Sequence, residues 1–175
     1  MKLARRIVPL AAALTLAALT LGASEVPREA GPLTFNTYNG HKASLAALKG
    51  KVVAVMFFST DCPHCQHTAE VLKPIYKEFH PKGFEILALA VNPSAAANID
   101  EFAAKYGVEF PIGLGTNSQW TTFCQLPVMG QKYVPHLVFV DKKGVIQEDH
   151  PGADRAFWLD QEARIRSTVE KLLAQ

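Results

Sequence analysis

Two of the three cysteines, Cys62 and Cys65, are separated only by Pro63 and His64. Two intervening residues put the sulfurs within reach of each other, so the pair can pass between a dithiol and a redox-active disulfide. The flanking sequence says where the motif sits. Before it runs Val52-Val53-Ala54-Val55-Met56-Phe57-Phe58, an unbroken apolar stretch of strand length, the pattern of a strand buried on both faces. After it, Val71, Leu72, Ile75, Tyr76 and Phe79 recur at three-four spacing and predict a helix from about residue 62 to 80, bent at Pro74. The motif therefore opens a helix. Unpaired first amides and the positive end of the dipole stabilise a thiolate on Cys62, which can attack a disulfide. Cys65, one turn inward, can then resolve the mixed disulfide. Pro63 suits the first turn because it has no amide hydrogen to leave unpaired. His64 adds a titratable positive group close to both sulfurs.

Other chemistries fit less well. A scaffold disulfide with so short a loop gains little from cross-linking. Metal binding through Cys62, Cys65 and His67 lacks a second cysteine pair or paired histidines at ligand spacing. Covalent haem needs histidine directly after the second cysteine, where Gln66 stands. Cys124, among Trp120, Phe123 and Leu126, reads as a buried small apolar residue, with an extra resolving thiol or dimer bridge as the sharper alternative.

The elements that position the motif belong to one domain. The chain has 175 residues and 49% hydrophobic content, which excludes disorder and collagen-like repeats. Residues 1–24 combine Lys2, Arg5 and Arg6, an apolar run and a Gly22-Ala23-Ser24 exit, the layout of an export signal or else a retained anchor. The remainder carries 15 basic and 16 acidic residues, with no electrostatic footprint for nucleic acid. An exported domain faces an oxidising compartment. Residues 25–32 form a leader, and 33–175 the domain.

Within it, residues 33–43 suggest a hairpin around Asn39-Gly40, followed by a helical turn over 45–49. Residues 85–91 predict a second buried strand. A helix capped by Asn98 or Asp100 runs to Tyr106 and is ended by Gly107. The alternation of strand and helix implies parallel pairing. Residues 113–130 read as an active-site flank with a short helix. Residues 136–140 and 145–148 form a hairpin, and one amphipathic helix over 155–174 closes the chain with Phe157, Ile165, Val169 and Leu172 inward. His41, His80 and His150 read as surface residues in turns, and Trp120 and Trp158 as core.

From Gly40 through Leu45, Leu48, Gly50-Lys51 and the 52–58 strand to Cys62-Pro63-His64-Cys65, and on to Val134-Pro135-His136-Leu137-Val138-Phe139-Val140-Asp141-Lys142-Lys143-Gly144, the chain resembles the exported thioredoxin-like proteins of the TlpA/ResA and AhpC/TSA redoxin group. The resemblance covers about residues 33–173. It implies an α/β thioredoxin-like fold, with a central mixed β-sheet flanked by helices and an N-terminal β-hairpin extension. It also implies a thiol:disulfide oxidoreductase acting on protein thiols and disulfides. Pro135 would be cis beside Cys62, leaving the Val134 backbone to pair with a substrate chain. No cofactor is implied, because the dithiol carries the electrons. An exported or membrane redox partner is implied, in a periplasmic or other extracytoplasmic location, with membrane contact only if the N-terminal segment is retained.

Several positions depart from the family pattern. Met56 replaces the strand acid of thioredoxins, and Thr68 the helix Glu of ResA-like proteins, leaving Glu70 or His67 as substitutes. Pro74 lies nine residues after the second cysteine, where the family's helix proline comes about five after it. His136 replaces the usual Thr after the cis-proline and either adds an imidazole near the dithiol or points outward as a surface strand residue. The Pro-His dipeptide matches DsbA-type oxidases, whereas the frame matches reductants, so direction stays open. The alternatives are a peroxiredoxin-like thiol peroxidase, disfavoured by Val55 where the peroxidase pattern has Pro, and a nonenzymatic metal or protein chaperone.

Overall fold

A computed structural model describes residues 25–127 and 129–175. The expected export signal lies outside the described residues. Among those described, no helix is long and apolar enough to cross a membrane.

The apolar stretch before the motif forms β4 (Val52–Phe58), with all seven residues buried. It pairs in parallel with β5 (Phe84–Ala90) and antiparallel with β7 (His136–Val140). The six-stranded sheet also holds β1 (Arg28–Glu29), β6 (Ile112–Leu114) and β8 (Val145–His150), in the order β1-β8-β7-β4-β5-β6. The mixed sheet is the thioredoxin-like arrangement, with β4 central because it is apolar on both faces. The N-terminal hairpin, β2 (Thr34–Asn36) and β3 (Lys42–Ser44), forms a separate two-stranded sheet.

Helix α1 (Pro63–Phe79) returns the chain from β4 to β5, with Pro74 inside it. Helix α2 (Ala95–Tyr106) joins β5 to β6 and ends at Gly107, whose φ of +59° a glycine adopts without strain. It starts a turn earlier than expected, after Ser94, because Asn98 is engaged elsewhere and caps nothing. Helix α3 (Asn117–Phe123) opens on a capping box between Thr116 and Gln119. The single closing helix expected over 155–174 is instead two, α4 (Arg155–Trp158) and α5 (Gln161–Leu173), parted at Leu159 and Asp160. The four apolar residues assigned inward are all buried.

The sheet separates two cores. One, under α1, α2 and α5, gathers Met56, Phe58, Cys65, Leu72, Leu137, Phe139 and Ile165. The other gathers Phe35, Val55, Phe57, Trp120, Cys124, Val138 and Ile146 beneath the hairpin and α3. Full burial of a large apolar side chain contributes about 1.5–3 kcal/mol, so β4, feeding both cores, is the main organiser.

The N-terminal segment touches both margins of the sheet. β1 pairs with β8, and Ala30 N–H donates to Gly144 O at 2.9 Å. At the other margin Thr37 bridges to Gly113, and Tyr38 N–H donates to Ile112 O at 3.0 Å. A Cβ on Gly113 would lie 2.3 Å from Asn36 O, so this approach requires glycine.

Candidate active site

Cys62 is the N-cap of α1, with extended backbone (φ −88°, ψ 118°) and Pro63 in the first turn. No side chain caps this end of α1, so its first amides remain available near the sulfur. Cys62 is half-buried, and its thiol faces Val134 O at 3.8 Å. Cys65 is fully buried, and Ser59 N–H donates to its sulfur at 3.5 Å. Burial pushes the Cys65 thiol up; the Ser59 amide opposes this, and the neighbouring Cys62 reinforces it. The two thiols are thus unequal, one accessible and one held protonated.

The Val134–Pro135 peptide is cis, and Pro135 is buried. Val134 and Pro135 form one side of a groove of about 550 Å³ with His64, His67 and Thr68 across it. Trp158, expected in the core, is only partly buried and lines this groove, with its indole N–H donating to Pro151 O at 2.8 Å.

Thr68 fills the place of the family's carboxylate. It is fully buried, with its hydroxyl oxygen 2.9 Å from His64 O and 2.9 Å from Gln161 Oε1. Glu70 and His67, the expected substitutes for a buried acid, are both exposed and face each other at 3.7 Å. A buried carboxylate does exist at Glu85, which accepts from Tyr76 OH at 2.7 Å. Glu85 stands opposite Val53, five residues down β4 from Phe58, about 16 Å along the strand.

His136 is a correction. It is neither beside the dithiol nor on the surface: β7 turns its side chain to the second core, 1% exposed. Trp120 N–H donates to its Nδ1 at 3.1 Å, so the ring proton sits on Nε2 and meets Asp149 Oδ1 at 2.5 Å. Burial pushes Asp149 up, but His136 and Arg28, the latter at 2.6 Å, bring it net below the usual carboxylate range. The expected active-site flank, 113–130, therefore lies largely on this second face through α3. Cys124 is buried there, and burial pushes its thiol up. A resolving or bridging role for it has no access. His150 is also corrected: it stacks on Phe157 at 3.8 Å and bonds Asp154 and Glu148.

Sequence reasoning missed Asp61. Its carboxylate accepts from Ser94 Oγ at 2.6 Å, Asn98 Nδ2 at 3.1 Å and Asn92 Nδ2 at 3.1 Å, and the Ser94 bond leads in holding it below the usual range. Asn92 also accepts from Thr60 N–H at 3.1 Å. This brace fixes the turn that presents Cys62. A cluster of Asp, Asn and Ser on two loops and the first turn of α2 gives no periodic signal; only the β4–β5 pairing brings them together.

With a half-buried thiol at a helix start, a buried partner and a cis-proline backbone opposite, the geometry can be set beside known proteins. The AhpC/TSA family profile matches residues 26–149. This chain belongs to the AhpC/TSA family. Among curated proteins, the thiol-disulfide oxidoreductase ResA of Bacillus subtilis is 38% identical over 81 residues, a match spanning 46% of this chain and 45% of that protein. ResA of Bacillus thuringiensis is 27% identical over 71% of this chain and 68% of its own. In fold, this AhpC/TSA member is similar to a thiol:disulfide interchange protein of the thioredoxin family from Chlorobium tepidum, with TM-score 0.69 and 24% identity over 86% of this chain and 99% of that one.

Proposed function

We propose that the chain is a thiol:disulfide oxidoreductase of exported proteins, working through Cys62 and Cys65. The observation that carries the reading is the inequality of the two thiols at the start of α1: Cys62 is reachable and Cys65 is sealed behind it. The ResA relatives, named as thiol-disulfide oxidoreductases, support it.

In the reducing direction, the Cys62 thiolate attacks one sulfur of a substrate disulfide. The substrate S–S bond breaks, a Cys62–substrate disulfide forms, and the departing thiolate takes a proton from solvent. Cys65 then gives up its proton, its sulfur attacks Cys62 Sγ, and the second substrate thiol leaves. The substrate has gained two electrons and two protons, and the Cys62–Cys65 disulfide has formed. Every step runs backwards when the pair donates its disulfide. Thr68 supplies no carboxylate to deprotonate Cys65, so that proton passes to the second substrate sulfur as it leaves. Val134 O would receive an amide of the bound segment beside Pro135.

The domain would occupy residues 33–175, joined by strand β1 of the leader at 25–32, and be exported by residues 1–24, with electrons exchanged with a membrane or exported partner. The dithiol needs no bound cofactor. Cys65→Ser should accumulate covalent mixed disulfides on nonreducing gels, and Cys62→Ser none; trapping by Cys62→Ser instead would reverse the roles. The potential of the pair, equilibrated with glutathione in a Cys124→Ser background, sets direction: around −120 mV means disulfide donation, and below about −250 mV a reductant.

A further inference from the structure

The groove beside Cys62 is one-sided in charge. Its titratable lining groups are His64 and His67 on α1 and Arg155 at the start of α4, and no carboxylate lines it. Of the acids near it, Glu70 faces the lining residue His67, Glu162 pairs with Arg166 at 3.3 Å, Asp154 is held by His150 at 2.9 Å and by Phe157 N–H at 3.2 Å, and Asp160, between the lining residues Leu159 and Gln161, is exposed outside the lining. Arg155 is exposed and makes no ion pair among the described residues.

The groove also offers apolar contact. Leu159 is 87% exposed, far more than a leucine in the break between two helices needs to be. Beside it Trp158 is fixed by its indole bond to Pro151 O and by edge contact with Phe157 at 4.9 Å, so the ring can take up a ligand at little entropic cost. Gln161, also lining the groove, spends its Oε1 on Thr68, and its amide nitrogen has no acceptor among the described residues.

We propose that this groove selects extended protein segments carrying an acidic side chain next to the reacting cysteine, with an apolar residue nearby. The carboxylate pairs with Arg155, the Gln161 amide donates to the segment, and the apolar residue covers Leu159 and Trp158. The Cys62 sulfur faces Val134 O, and Val134 and Arg155 line the same groove, so one segment lying along Val134 can meet both the sulfur and the guanidinium. This inference rests on the thiol-exchange reading and deepens it by naming a substrate preference.

The test uses the reduced full chain and two cyclic peptides, each closed by a disulfide, identical except that Asp flanks one cysteine in the first and Lys in the second. Rates of reduction are divided by those with dithiothreitol, which removes intrinsic reactivity. Lysine next to sulfur favours thiolate departure, so that intrinsic bias runs against the proposal. The Asp peptide should react about fivefold faster after normalisation, and the gap should close in 0.5 M salt. Arg155→Glu should reverse the order. Equal normalised rates for the two peptides at low salt would overturn the preference and leave the exchange activity standing. Failure of both peptides to exchange, with Cys62 shown free by thiol labelling, would overturn the activity itself.

Discussion

The two faces of the sheet hold similar residues in different states. The start of α1 carries Cys62, Cys65 and His64; the end of α3 and the strands beneath it carry Cys124, His136 and Asp149. On the first face the outer thiol stands at an uncapped helix end, and His64 is exposed at a groove. On the second, Cys124 and His136 are 0% and 1% exposed, and both imidazole nitrogens are occupied, one by Trp120 and one by Asp149. Cysteine, histidine and aspartate make a reaction centre only where a sulfur can be reached from solvent. Where the sulfur is sealed and the ring nitrogens are paired, the same residue types hold strands together.

The largest effect should come from breaking the open side. Cys62→Ser should lower disulfide exchange by on the order of a thousandfold or more in an insulin-reduction assay, because a hydroxyl replaces the attacking thiolate. Retention of a tenth of the rate would put the chemistry elsewhere. On the closed side, His136→Ala should cost about 3 kcal/mol in urea unfolding, since it strands a buried carboxylate beside Arg28, while the exchange rate per folded molecule stays within about threefold. A large fall in rate without loss of stability would make His136 part of the reaction centre.

Glu148 is a half-open case between these extremes. Hydrogen bonds from His150, then Thr168 and Lys171, hold its carboxyl down to about 2. Its folded value lies below its unfolded one, so its contribution is complete above pH 4.5 and is lost as pH falls toward 2. Glu148→Gln should cost about 1–2 kcal/mol at pH 7 and leave stability flatter between pH 4.5 and 2, read by urea midpoints across that range. An unchanged slope would remove the carboxylate from the acid response. The smallest effect should be Cys124→Ser, with exchange within about twofold of the parent. In the parent, iodoacetamide should modify Cys62 in the native state and Cys124 only after unfolding.

Much of this comparison is visible in the sequence. The β4 run, the motif after it, the β7–β8 hairpin and the inward positions of α5 follow from period and composition, because those elements are set by burial. β6 escaped notice because it is three residues long and contains Gly113, present for a close backbone approach and not for strand propensity. The start of α2 is hard to place from sequence because Asn98, a good cap by type, sits inside the helix and donates to Asp61 in the loop after β4. The break after Trp158 is invisible in the sequence because Phe157, Ile165 and Val169 keep helical spacing across it and no Gly or Pro marks Leu159 and Asp160. For the site, the motif gave Cys62 and Cys65, and the resemblance gave Pro135. The face to which His136 turns depended on strand register, and the groove's far wall on how α4 folds back.

The route of the first described residues bears on a different hazard. The chain covers the outer side of β8 with β1, crosses beneath the sheet, and reaches β6 through Thr37 and Tyr38. An uncovered strand margin is a template for another chain, and the proposed work brings extended, partly unfolded segments to this surface. With part of each margin taken by its own N-terminal residues, the molecule offers a segment held at Val134 less open edge on which the next one could stack.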